Sequence, residues 1–164
     1  MNLTPFGQAL QFVLQWEGGY VNHAADPGGA TNYGVTQSTY DDHREECGLP
    51  KRSVKGITRA EVQNIYTQHY WKAAGCDTLP LPLAIAVFDT AVNFGVGRAK
   101  SFLAKARAAY PGSPFGLKAA AMNVVSQRIA YRHARVAEKP SQVVFLKGWL
   151  NRDNALGALI GKVA

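Results

Sequence analysis

The run EGGYVNHAADPGGATNYGVT, residues 17–36, decides the fold, because the chain changes its periodicity there. Upstream, Phe6, Leu10, Val13 and Glu17 recur at three- and four-residue spacings, one stripe of an α-helix. Thr4 supplies an N-cap with Pro5 at the first helical position, and Gly18-Gly19 predicts the stop. Inside the run that period is lost. Asp26-Pro27-Gly28-Gly29 carries Pro and Gly where a type II turn takes them, so short strands around it are expected to form a small β-hairpin lobe.

Working outward, almost everything else reads as helix. A short helix is expected from Gln37 to about Cys47, then a basic connection from Lys51 to Gly56. Thr58-Arg59-Ala60-Glu61 is a capping box, opening a helix expected to run to about Trp71. Leu83 to Phe94 is apolar nearly all round, as a central buried helix should be. Helices follow over Val96–Tyr110 and Lys118–Lys139, and one or two over Ser141–Val163, with breaks expected at Gly148 or Gly157. The sum is an α+β fold, mainly α-helical, with its strands gathered near the N-terminus.

At 164 residues the chain fits one domain that buries its core without staples. Apolar residues make up 47% and charged residues 18%, a globular composition. A net charge of +7 favours anionic partners: nucleic acid, membrane surfaces or cell-envelope polymers. Cys47 and Cys76 lie outside any CxxC pair and read as reduced structural thiols, with a single late bridge as the alternative. The start of the chain lacks the basic, apolar and small-residue pattern of a signal peptide, so synthesis in the cytoplasm is expected.

Chemistry concentrates in residues 17–36. Glu17 ends an apolar helix; Asp26 and Thr31 follow on a glycine-rich connection. Glycosidic hydrolysis uses such a set, an acid for the leaving oxygen and an opposing group that holds water or stabilises the cation. Val13, Trp16 and Tyr20 are expected to desolvate Glu17, and the helix dipole disfavours its charge. Asp26, in a polar turn, is expected to stay ionised. The alternative is a helix-end surface glutamate beside an ordinary turn aspartate.

The run 17–36 resembles the signature of glycoside hydrolase family 108, the N-acetylmuramidases of phage endolysins. AVFDTAVNFGVGRA (86–99) and FLKGWLNR (145–152) are similar to later parts of the family pattern. The resemblance implies a lysozyme-like fold, Glu17 as catalytic acid and peptidoglycan, not nucleic acid, as the anionic partner. It implies a monomer without cofactor, in which residues to about 95 carry the catalytic motif and about 96–164 form a helical peptidoglycan-associated part. The family's biological setting implies host lysis, with access to the periplasm from inside through a holin or another assisted path. The run is also similar to phage lysozymes with Glu, eight residues, Asp, five residues, Thr; here Thr31 follows Asp26 after four residues, and Asn32 holds the five-residue position. Thr31 and Asn32 therefore both stand as candidates to hold the attacking water. Carboxyls about 6.5–9.5 Å apart would give inversion, the favoured outcome, and about 5–5.5 Å retention.

Secondary sites follow from position. Asp89 and Asn93 share a helix face, either on the far wall of a sugar cleft or satisfied internally with the hairpin. Tyr20, Tyr33, Trp71 and Phe94 are candidates for stacking on sugars or for the core, and Gln37 reaches a sugar amide or simply starts a helix. Arg128, Arg132, Arg135 and Lys139 make a basic stripe, read as a solvated face or as an attraction to envelope polymers. His23, His43, His69 and His133 show no metal-ligand spacing, so no metal site is expected.

Overall fold

The computed structural model describes residues 4–22, 29–111 and 116–163. These residues hold seven α-helices and one two-stranded sheet: α1 (Pro5–Trp16), β1 (Thr31–Asn32), β2 (Val35–Thr36), α2 (Gln37–Glu46), α3 (Arg59–Tyr66), α4 (Leu81–Phe94), α5 (Val96–Ala109), α6 (Gly116–Glu138) and α7 (Val143–Lys162). The mainly helical α+β fold with a small hairpin is the one the sequence leads to. No helix among the described residues is long and apolar enough to cross a membrane. The chain forms two compact units, residues 10–69 and residues 1–9 with 70–164.

Helix starts follow local hydrogen bonds. The Thr4 hydroxyl accepts from the Gly7 N–H at 3.1 Å, and Thr36 caps α2 through the Thr39 N–H. At α3 the capping box closes in both directions: Thr58 Oγ1 accepts from the Glu61 N–H, and the Glu61 carboxylate accepts from the Thr58 N–H. The α-helix expected to continue to about Trp71 ends at Tyr66, and residues Thr67–Lys72 wind as a π-helix.

In the unit of residues 10–69, β1 and β2 pair antiparallel, Thr31 with Thr36 and Asn32 with Val35. Val21 bridges Thr31 by two backbone hydrogen bonds of 2.9 and 2.8 Å. The hairpin turn between the strands is Tyr33-Gly34, both with positive φ (50° and 73°), the pattern of a type I′ turn. The turn expected at Asp26-Pro27-Gly28-Gly29 falls largely on residues 23–28, which lie outside the described residues.

In the other unit, α4 is buried along most of its length and contacts α5, α6 and α7. Trp71 packs edge-on against Phe6 and Phe88, with ring centroids 5.4 Å away in each case. α7 runs unbroken through Gly148 and Gly157. A Cβ at Gly157 would stand 3.3 Å from Met122 Cε, so this glycine lets α7 pack closely on α6, and tertiary contact outweighs its weak helix propensity.

Candidate active site

Glu17 stands one residue beyond α1, its N–H still bonded to Val13 O at 3.2 Å, so the helix delivers its side chain to the hairpin turn. A Cβ built on Gly34 would lie 2.8 Å from Glu17 Oε2 and 2.6 Å from Tyr66 Oη. The carboxylate and the phenol therefore crowd the same point of the turn. Tyr66 comes from α3 and donates to Tyr33 O at 2.9 Å, tying the turn to that helix. Position 34 must be glycine twice over, for its left-handed backbone and for the space Glu17 and Tyr66 take. Val13 is buried, whereas Trp16 and Tyr20 are 38% and 39% exposed. Glu17 itself is half-buried. Lys55 Nζ sits 5.5 Å from the centre of the Tyr20 ring.

Along β1 the side chains alternate between faces. Asn32 is 6% exposed and its amide donates to the carbonyls of Val54 and Lys55, both at 3.2 Å. Thr31, paired with Thr36, is on the opposite face. Of the two water-holding candidates, Asn32 has its NH₂ committed to anchoring the hairpin. Gln37 is likewise spent internally. Its Nε2 donates to Asp41 Oδ1 and Arg52 O, and its Oε1 accepts from the Val54 N–H, all at 2.8 Å. A sugar amide finds no free group there. Tyr33 lines a small pocket with Leu14, Arg59, Val62 and Gln63.

A hydrogen-bonded cluster braces this unit. Glu61 accepts from Arg44 Nη1 at 2.6 Å, from Arg52 Nη2 at 2.8 Å and from the buried Tyr40 hydroxyl at 2.9 Å. Burial pushes the Glu61 carboxyl up, but the hydrogen bonds from Thr58 and Tyr40 and the charge of Arg52 outweigh it and hold the group at about 2.

In the other unit, the basic stripe of α6 turns inward. Arg128 and Asp153 are wholly buried, and Arg128 bridges Asp89 (2.7 Å) and Asp153 (2.6 Å). Arg152 adds a 2.7 Å bond to Asp89, and Arg132 reaches Asp153 at 3.3 Å. Burial alone would raise the Asp89 pKa, yet the charges of Arg128 and Arg152 hold it below its ordinary value. Arg132 is 7% exposed, lies 4.2 Å above the Phe94 ring and 5.0 Å from the Trp149 ring, and its Nη2 has no hydrogen-bond partner among the described residues. Beside it opens a pocket of about 260 Å³ walled by Asn93, Phe94, Tyr131 and Trp149, with Arg98, Arg132, Arg135 and Gln142 as its polar groups.

The family model for glycosyl hydrolase 108 matches residues 10–95, which hold Glu17, the hairpin, Tyr66 and all of α4. The chain belongs to glycosyl hydrolase family 108. It is a glycoside hydrolase, and the family implies peptidoglycan as its substrate. Among solved structures, SagA of Brucella abortus is similar over 94% of this chain and 92% of its own, at 30% identity and a TM-score of 0.69. The fold is lysozyme-like. A search of functionally curated proteins returns no match.

Within this family 108 fold the expected site residues separate into groups. Glu17, Thr31 and Tyr33 gather at the hairpin. Asp26 lies outside the described residues. Asp89 is satisfied internally, by arginines instead of the hairpin, because two guanidinium groups compensate its burial; it offers no wall to a sugar. Trp71 is core, its Nε1 donating to Asp77 at 2.7 Å. Asn93 and Phe94 line the arginine pocket. Tyr66 and Arg98 escaped the sequence reading. Tyr66 carried no local signal, and the stripe at positions 128, 132 and 135 was visible but does not reveal which arginines are buried. Both cysteines are free, and burial pushes the Cys76 thiol up to about 12.

Proposed function

We propose that this family 108 protein is an N-acetylmuramidase that cleaves the β-1,4 bond between N-acetylmuramic acid and N-acetylglucosamine, with Glu17 as general acid. The observation that carries the proposal is the seat of Glu17, where a helix end brings a carboxylate against the glycine of a strained hairpin turn. Tyr33 holds a left-handed backbone there that costs a residue with a Cβ about 1–2 kcal/mol, the kind of strain that clusters at functional sites. Thr31, with Asp26, is assigned the attacking water, and inversion at the anomeric carbon is the expected outcome.

The arginine pocket favours peptidoglycan over a neutral glycan such as chitin. Guanidinium groups between aromatic walls suit carboxylates, which peptidoglycan carries on its lactyl groups and stem peptides and chitin lacks. The role we assign is that of an endolysin, made in the host cytoplasm and acting as a monomer on the wall once a holin or similar route admits it.

The test is Glu17→Gln on purified sacculi. Muralytic activity should vanish while circular dichroism and thermal melting stay those of the parent. Retained activity would remove Glu17 from the mechanism. Mass spectrometry of the parent's products should show reducing ends; anhydro-muramic ends would make the enzyme a lytic transglycosylase instead.

A further inference from the structure

The chain has four histidines and two cysteines in 164 residues; His43 and His69 meet at one place in the unit of residues 10–69, with Cys47 beside His43. His43 lies in the last turn of α2 and Cys47 caps it, while His69 enters from the π-helix that follows α3. Glu46 completes the group. One donor atom each from His43, Glu46 and His69 lies within 4.8 Å of the other two. Cys47 Sγ is 3.9 Å from His43 Nε2, and Glu46 Oε2 is 3.9 Å from His69 Nε2.

The Glu46–His69 distance suits a bridging cation better than a hydrogen bond. His69 Nε2 is shielded from solvent and has no hydrogen-bond partner among the described residues, and 3.9 Å to a carboxylate oxygen is too long for one. Two ligand bonds to zinc, at roughly 2.0–2.2 Å to nitrogen or oxygen and about 2.3 Å to sulfur, span gaps of that size. Glu46, whose side chain is 63% exposed, has room to rotate towards an ion held by the two imidazoles. Single-turn π-helices recur at functional sites, and this one takes His69 off the register that a continued α3 would give it.

We propose that His43, Glu46 and His69, with Cys47 as the fourth ligand, form a binding site for a zinc-class divalent transition metal. Two imidazoles, a carboxylate and a thiolate make a borderline-soft, four-coordinate set; magnesium and calcium, which take oxygen ligands, do not fit it. A bound ion cross-links the end of α2 to the π-helix, so metal binding stabilises the fold that carries Glu17. The site is separate from the chemistry proposed for Glu17, which uses no metal.

The test uses the full-length, tag-free, reduced protein. Titration calorimetry with Zn²⁺ should give one site per chain, and thermal melting should shift upward with Zn²⁺ but not with Mg²⁺. Co²⁺ should give the intense visible bands of a four-coordinate ion and a thiolate charge-transfer band. That second band alone should disappear in Cys47→Ser. His69→Ala and Glu46→Gln alter exposed or half-exposed side chains and should weaken Zn²⁺ binding by at least about tenfold, while their metal-free melting temperatures stay those of the parent. Absence of Zn²⁺ binding at 100 times the protein concentration, or stoichiometric binding unchanged in the His69→Ala/Glu46→Gln double variant, would overturn the proposal. Muralytic activity is not its readout, so the two proposals fail separately.

Discussion

Gly34→Ala puts a methyl group where Glu17 and Tyr66 meet, and the structure sets the scale of the effect. The backbone at φ +73° disfavours any residue with a Cβ by about 1–2 kcal/mol. The new Cβ would also stand 2.6 Å from Tyr66 Oη and 2.8 Å from Glu17 Oε2, where ordinary contacts begin at 3.4 Å, so one or both oxygens must retreat. Losing the Tyr66–Tyr33 hydrogen bond would add about 1 kcal/mol, for a total near 2–3 kcal/mol. In a chain of this size that lowers the melting temperature by roughly 4–12 °C. Activity should suffer more, because displacing a reacting group by about 1 Å costs on the order of 100-fold. Gly75→Ala is the matched control: φ is +75° and nothing lies within 4 Å of the added Cβ. Both variants should lose the backbone contribution, and only Gly34→Ala should lose turnover on sacculi, measured by release of reducing ends. If turnover of the two variants agrees within about threefold, the Glu17 carboxylate does not act from the position seen here.

Two further outcomes follow from the buried charges. Asp153→Asn leaves the buried Arg132 without its carboxylate and Arg128 with Asp89 alone, and should destabilise the chain by roughly 3–5 kcal/mol, read from urea unfolding; a change below about 1 kcal/mol would mean that water compensates these arginines. The folded-state pKa of Glu61 is depressed to about 2 from 4.5, so its contribution is complete above pH 4.5 and fades as pH falls through about 2. Allowing for screening on the exposed Arg52 side, the effect is about 1–2 kcal/mol. Glu61→Gln should therefore flatten stability between pH 2 and 5, and an unchanged slope would assign acid unfolding to other carboxylates.

Much of the fold was legible because its signals are local. Thr4, Thr58 and Glu61 announce helix starts through hydrogen bonds three residues long, and the apolar run of α4 marks the central buried helix. Glu17 could be singled out for the same reason, since a stripe of apolar positions and a Gly-Gly stop lie within one helix length of it. The hairpin turn at Tyr33-Gly34 was not legible, because it is favoured only once Tyr66 and Glu17 close over it.

The sequence by itself determined a mainly helical α+β chain of family 108 with a glutamate at a helix end, because periodicity, caps and a contiguous motif are written in neighbouring residues. Only the tertiary structure decided what the polar side chains do. Asn32 and Gln37 meet their carbonyl partners 15 to 23 residues away, and Arg152 meets Asp89 across 63. His69 meets Glu46 in the same way, by the packing of two helical segments. A burial cost is met by whichever partner the packed chain brings within about 3 Å, and sequence spacing carries no record of that meeting.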